Sequence, residues 1–337
     1  MKAVHVSSPG HVELADLPRP EPAPGEALLR VRYAGVCGSD LQTFTGNQPF
    51  ATYPRIPGHE FSAELVEING EAPGLEQGML VTGNPYFNCG SCSPCRRGLV
   101  NCCESNETMG VHRDGAFCEY LTLPIERVYP GESLSAQQLA MIEPFSIGFH
   151  AATQARVAPG DRVLVLGAGA IGIFALLSAK LLGASVWIAD ILPSRLEIAQ
   201  RMGADGTILL TEVEDLGATA RELTDDNGFD VALEATGVPE SFLNAMAASM
   251  YGGRIALIGN GKREVSFNQS LIIKKELTIL GSRNSLDAFR PLIRHVAAGD
   301  VDIEGMHTAT YPFPQTIDAM QDLLAHPENN VKVLISF

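Results

Sequence analysis

The apolar run Val163-Leu164-Val165-Leu166 leads directly into Gly167-Ala168-Gly169-Ala170-Ile171-Gly172 and then into an apolar helical pattern. Glycines spaced G-x-G-x-x-G at a strand-to-helix turn leave few folds open. The first admits a tight turn, the second lets a pyrophosphate approach the backbone, and the third lets helix and strand pack closely. Ala170 and Ile171 complete the predicted cofactor-binding turn. The next apolar run, Val186–Ala189, is closed by Asp190, 18 residues after Gly172. A carboxylate there accepts hydrogen bonds from ribose hydroxyls and repels a 2′-phosphate, so NAD is expected over NADP. Arg195, on the helix that follows, is the nearby cation that would instead greet a phosphate, unless it is a plain surface charge.

The same region contains 17 uncharged residues, Val163 to Ala179, between Arg162 and Lys180. That length touches the lower limit of a membrane span. Three glycines within six positions argue for buried strand-turn-helix structure instead, and no membrane role is expected. From about residue 160 short apolar strands alternate with helical patterns: Val163–Leu166, Val186–Ala189, Thr207–Leu209, Asp230–Leu233, Arg254–Ile258 and Leu277–Leu280. Six strands with helices between them predict an α/β doubly wound parallel sheet. Residues 1 to about 140 read differently, as extended runs broken by Gly and Pro: Val4–Val6, Ala27–Val36, Phe61–Ile68, Met79–Thr82 and Phe117–Leu123. After Arg283 come helical stretches, Leu286–Ala298 and Gln315–Leu324, and a terminal strand, Val331–Ile335.

The 337 residues, 45% hydrophobic and 19% charged, suffice for two domains with sizeable cores and exclude disorder. A net charge of −15 has the wrong sign for phosphate backbones or anionic lipid, so nucleic-acid and membrane-surface partners are not expected. Met1 to Gly10 carries one lysine and no apolar core of a leader. The seven cysteines are therefore expected in a reducing, cytoplasmic setting, where clustered thiols bind metal more often than they form disulfides.

Cys89, Cys92 and Cys95 stand at C-x2-C-x2-C, and Cys103 follows after seven residues. Two-residue spacers carrying Gly90, Ser91, Ser93 and Pro94 supply the turns that aim successive thiolates at one ion. Cys102 adjoins Cys103 and competes for the fourth place, which spacing assigns to Cys103. Four thiolates leave no position for substrate, so this zinc, in a ribbon of about 85–105, is structural. A second constellation is more scattered. Cys37 lies in Gly35-Val36-Cys37-Gly38-Ser39-Asp40, Gly58-His59-Glu60 comes 22 residues later, and Glu143 precedes Pro144 in an otherwise apolar run. A thiolate, an imidazole and a carboxylate suit a zinc that keeps one position open.

Together these motifs resemble the zinc-dependent medium-chain dehydrogenase/reductase family of alcohol, sorbitol and threonine dehydrogenases, over essentially the whole chain. The resemblance implies a GroES-like β-rich catalytic domain, 1–144 and 284–337, around a Rossmann NAD-binding domain, 145–283, with the active site in the cleft between them. It implies two zinc ions per subunit and a homodimer or homotetramer. Cys37 and His59 are similar to the catalytic zinc ligands, and Glu60 and Glu143 to carboxylates that bind the metal directly or through its water. Ser39 matches the hydroxyl that relays the substrate proton, and Asp40 the partner that orients the ligand histidine.

Gln42 departs from the pattern, which commonly places there a histidine that passes the proton to solvent. Glutamine does not titrate near neutral pH, so the proton must leave through water, the cofactor ribose or a group such as His112. Further segments, among them Gly46-Asn47-Gln48-Pro49-Phe50, Gly110-Val111-His112-Arg113-Asp114-Gly115 and Gly281-Ser282-Arg283-Asn284, are similar to those of bacterial L-galactonate and L-gulonate 5-dehydrogenases. The resemblance thus implies NAD-linked oxidation of a secondary alcohol to a ketone, on a sugar acid, with Arg283 as candidate cation for its carboxylate and His112 as a pocket residue. A neutral polyol or L-threonine is the alternative small-molecule substrate, and a non-catalytic zinc and nucleotide-binding relative the remote one.

Overall fold

The computed structural model describes residues 1–328 and 330–337, so position 329 of the expected last segment lies outside the described residues. The chain divides into two compact units. One comprises Met1–Glu143, Phe289–Gly299 and His307–Phe337, and the other Pro144–Ala288 and Asp300–Met306. The expected second boundary, 283/284, thus moves to 288/289, because Ser285 is buried and its hydroxyl meets that of Ser146 at 2.9 Å. Residues 300–306 also return to the second unit, where the Met202 sulfur lies 2.5 Å from where a side chain on Gly305 would begin.

In the first unit the long strand Glu26–Val36 is the axis of a seven-stranded sheet. It pairs antiparallel with Glu60–Asn69, with Tyr120–Pro124 and with the C-terminal strand Lys332–Ser336. His307–Pro312 adds a parallel strand outside Lys332–Ser336, and Leu80–Gly83 and Val128–Pro130 complete the other side. Leu29, Phe61, Leu65, Phe117, Leu123, Val333 and Ile335 form the apolar centre and are inaccessible or nearly so. Each such side chain contributes about 1.5–3 kcal/mol by leaving water, which locks the strand register because a one-residue slip would turn the apolar set outward. The register then dictates neighbours: Gly35 lies opposite Glu60 and Val36 opposite Val333.

The second unit holds the expected six-stranded parallel sheet, in the order Gly206–Leu209, Ser185–Asp190, Arg162–Leu166, Phe229–Glu234, Ser249–Leu257, Thr278–Gly281. Numbered along the chain that order is 3-2-1-4-5-6, the doubly wound arrangement with its reversal beside the first strand. Val163, Leu164, Val165 and Leu166 are fully buried, as a strand covered by helices on both faces requires. The uncharged 17-residue stretch resolves into strand Arg162–Leu166 and helix Ala170–Leu181. Among the described residues no helix is long and apolar enough to cross a membrane.

Candidate active site

The ribbon cysteines come together through local turns. Cys92 caps the short helix Ser93–Arg96, which has a proline in its first turn, and the 3-10 turn Val100–Cys102 delivers the chain to Cys103. The sulfurs of Cys89, Cys92, Cys95 and Cys103 lie within 4.8 Å of one another. Cys103 is buried in this group whereas Cys102 is exposed and outside it, so the structure selects the residue that spacing favoured. Backbone N–H groups of Cys89 and Cys92 donate to the sulfurs of Cys103 and Cys89, each at 3.3 Å. Hydrogen bonds from Ser91 and Cys92 lower the Cys89 thiol to about 6, into the range where it is a thiolate.

The second group is assembled from distant parts of the chain. Cys37 follows the axial strand and caps helix Gly38–Thr45, while His59 precedes, and Glu60 begins, the strand that pairs with it. Because Gly35 faces Glu60 across the ladder, donor atoms of Cys37, His59 and Glu60 lie within 4.8 Å of one another. A side chain at Gly35 would begin 2.1 Å from Glu60 Oε2, so only glycine leaves this carboxylate its seat. Asp40 braces the group: its Oδ2 accepts the Cys37 amide and its Oδ1 the Gly58 amide, both at 2.9 Å, and Oδ1 faces His59 Nδ1 at 3.6 Å. Burial is the largest influence on His59 and favours the neutral ring, but Asp40, Cys37 and Glu143 together raise its pKa well above the ordinary value.

Two partners of this group were not foreseen. The Lys332 ammonium, buried in the C-terminal strand, donates to Glu60 Oε2 and, at 3.2 Å, to the Val36 carbonyl. The Tyr86 hydroxyl donates to Oε1 of the buried Glu143, which stands in the first turn of helix Ile142–Gln154. Burial pushes the Glu143 carboxyl up to about 7, with His59 opposing and Glu60 adding to the rise. A readable signal marks Lys332, a cation inside the apolar run Val331-Lys332-Val333-Leu334-Ile335 that must find an acid. None marks Tyr86.

In the second unit the three glycines of the turn act in three ways. Gly167 has φ +96°, the space beside Gly169 is open to 4 Å, and a side chain on Gly172 would begin 1.7 Å from the Gly167 carbonyl oxygen. No side chain caps the helix that starts at Ala170, so its first N–H groups are available to an anion. Asp190 ends its strand with Oδ2 accepting from Ala168 N at 2.6 Å and Oδ1 from Leu192 N at 2.9 Å. Arg195 is half-buried in helix Pro193–Arg201.

Residues 23–133 match the alcohol dehydrogenase GroES-like domain model, and residues 170–298 the zinc-binding dehydrogenase model. L-galactonate-5-dehydrogenase of Escherichia coli K12 is 36% identical over 94% of each chain. The chain belongs to the zinc-type medium-chain dehydrogenases. Two solved structures extend the match. A short chain alcohol dehydrogenase from E. coli CFT073, complexed with NADH, superposes with a TM-score of 0.93 at 31% identity, covering 100% of this chain and 99% of that one. A zinc-binding dehydrogenase from Sinorhizobium meliloti 1021, bound to NADP, does so with 0.92 at 28% identity and the same coverage.

As a medium-chain dehydrogenase the chain is an oxidoreductase that uses zinc and a nicotinamide dinucleotide, and both donor sets fit a metal. The ribbon offers four sulfurs and no open side. The buried group offers a thiol, an imidazole and a carboxylate, from Cys37, His59 and Glu60, a mixed donor set that suits zinc. Ser39 lies half-buried on the helix that Cys37 caps, and Gln42, one turn on, is exposed. His112 accepts a hydrogen bond from the Thr108 amide at 3.1 Å through Nδ1 and stacks on Phe50. Arg283 is exposed in the second unit, just after strand Thr278–Gly281.

Proposed function

We propose that this dehydrogenase oxidises a secondary alcohol of a sugar acid, of the L-galactonate or L-gulonate kind, to the ketone with NAD. The reading is carried by the convergence of Cys37, His59 and Glu60 within 4.8 Å, a thiol, an imidazole and a carboxylate that would hold a catalytic zinc. Cys89, Cys92, Cys95 and Cys103 hold the second, structural zinc. When bound, the catalytic zinc supplies a Lewis acid that lowers the pKa of the substrate hydroxyl, and NAD supplies the hydride acceptor.

The chain's own groups do the rest. Ser39 accepts the hydroxyl proton as it gives up its own, Asp40 orients His59, and Lys332 holds the Glu60 carboxylate in place. Glu143 lies beside the group as an acceptor for the reacting hydroxyl or its water. With Gln42 exposed and unable to titrate, the proton that Ser39 gives up passes to water. Gly167, Gly169, Ala170, Ile171 and Gly172 seat the pyrophosphate, and Asp190 the ribose. Arg283 meets the carboxylate of the acid, and His112 lines the pocket.

The test is NADH formation by zinc-loaded protein on L-galactonate, L-gulonate, D-sorbitol, L-threonine and simple alcohols. Preference for a sugar acid, lost with a raised KM in Arg283→Ala, is the expected result. Turnover confined to sorbitol or threonine would overturn the sugar-acid assignment and leave the chemistry intact. For the cofactor, Asp190→Ser should raise the KM for NAD and lower its preference over NADP, by roughly tenfold for each 1.4 kcal/mol of ribose binding lost. An unchanged NAD/NADP ratio would assign the preference elsewhere.

A further inference from the structure

Tyr86 belongs at once to the ribbon and to the buried group. It lies three residues before Cys89, in the strand Tyr86–Phe87 that pairs with Glu107–Thr108. Its amide donates to Asn84 Oδ1 at 2.9 Å, and its carbonyl accepts from the Arg127 guanidinium. Arg127 also donates to Asn88 Oδ1 at 2.9 Å, next to Cys89. Phe87 is held by two guanidinium groups, with Arg113 and Arg127 4.3 and 4.7 Å from its ring centroid. The backbone of Tyr86 is therefore tied down by the base of the metal lobe, while its phenol reaches Glu143.

A glutamate carboxylate rotates about a broad, roughly two-fold terminal torsion, so its orientation is set by whatever donates to it. We propose that Tyr86 is a positioning residue of the catalytic centre: its phenol orients the Glu143 carboxylate toward the Cys37–His59–Glu60 group, and the thiolate ribbon, through Arg127 and the short strand, holds the phenol in place. The structural metal lobe is thus part of the alignment of the active site. The inference rests on the proposed reading of Cys37, His59 and Glu60 as the seat of the catalytic metal.

The experiment replaces zinc by cobalt(II) in the full-length protein and compares wild type with Tyr86→Phe, which keeps the ring and its packing and deletes one O–H. Two metals per chain, a shifted ligand-field band and a kcat lowered roughly 10- to 100-fold, with the KM for NAD unchanged, are expected. In a Glu143→Gln background the same substitution should add no further shift or loss, since the phenol acts through that carboxylate. Arg127→Lys, which keeps the charge and loses the forked grip on Tyr86 and Asn88, should move the band in the same direction by less. Two metals with a wild-type band and kcat in Tyr86→Phe, or a fully additive loss with Glu143→Gln, would overturn the positioning role alone. An unmoved band in Arg127→Lys beside a moved one in Tyr86→Phe would overturn the link to the ribbon. Uptake of only the ribbon metal by wild type would overturn the ligand reading and this role with it.

Discussion

The two clusters of candidate metal donors in this chain are built on opposite plans. The ribbon draws its four sulfurs from 15 consecutive residues, Cys89 to Cys103, leaves Cys89 exposed and braces its thiolates with backbone N–H groups. The other draws on positions 37, 59 and 60, with Lys332 from the far end of the chain, is almost wholly buried, and is braced by the side chains of Asp40 and Lys332, while the Glu143 carboxylate outside the cluster is held by Tyr86. A closed set of like donors needs only turn geometry. An open set of mixed donors, which must bind substrate without closing over it, needs the whole β-sheet to hold each donor apart.

The contrast can be broken most severely at Cys37. Cys37→Ala is expected to lower activity by roughly 10³-fold or more, as loss of several kcal/mol of charge stabilisation implies. Metal content should drop from two zinc ions to one while the thermal midpoint barely moves. The reverse pattern is expected of Cys92→Ser with Cys103→Ser. One zinc is again lost, but stability falls by several kcal/mol, roughly 10 °C or more in the melting midpoint. Similar melting losses from both would show the two sites to be equally structural.

Lys332→Met sharpens the difference, because it strands the Glu60 carboxylate in the interior. Loss of one partner of a buried pair costs about 3–5 kcal/mol, so urea unfolding should shift strongly. Lys332→Met with Glu60→Gln should recover much of that stability without recovering activity. If the single substitution leaves the unfolding midpoint in place, the pair is not holding the strand ends together.

The smallest effect is a pair of opposite pH slopes in metal-free protein. The Glu143 carboxyl is pushed up to about 7 from 4.5, so the folded state ionises it later than the unfolded chain does. Its contribution is present below about 4.5 and lost as pH rises through about 7. The Cys89 thiol is lowered to about 6 from 9.0, so its contribution is present above about 9 and lost as pH falls through about 6. Stability measured from pH 4 to 9 should therefore fall with rising pH in wild type relative to Glu143→Gln. It should rise relative to Cys89→Ser. Parallel curves in either comparison would remove that group as the cause.

Most of the architecture was legible in the amino-acid order. All six parallel strands appear where apolar runs predicted them, and the axial strand predicted at Ala27–Val36 is observed as Glu26–Val36. These strands follow from local periodicity and from glycines whose neighbours are a few residues away. The return to the first unit was displaced from 284 to 289 because a buried Ser146–Ser285 contact, 139 residues apart in sequence, keeps that segment with the sheet it leaves.

The sequence by itself determined the ribbon, the glycine turn and Asp190, because the spacing within each motif already sets its geometry. Only the tertiary structure decided that Glu60, and not Glu143, shares a cluster with Cys37 and His59. It alone showed that Lys332 and Tyr86 hold the two carboxylates. Glu60 meets Cys37 and Lys332 because Gly35 faces Glu60 and Val36 faces Val333, and a register of that kind is fixed by the packing of the sheet's apolar face rather than by any short run of residues.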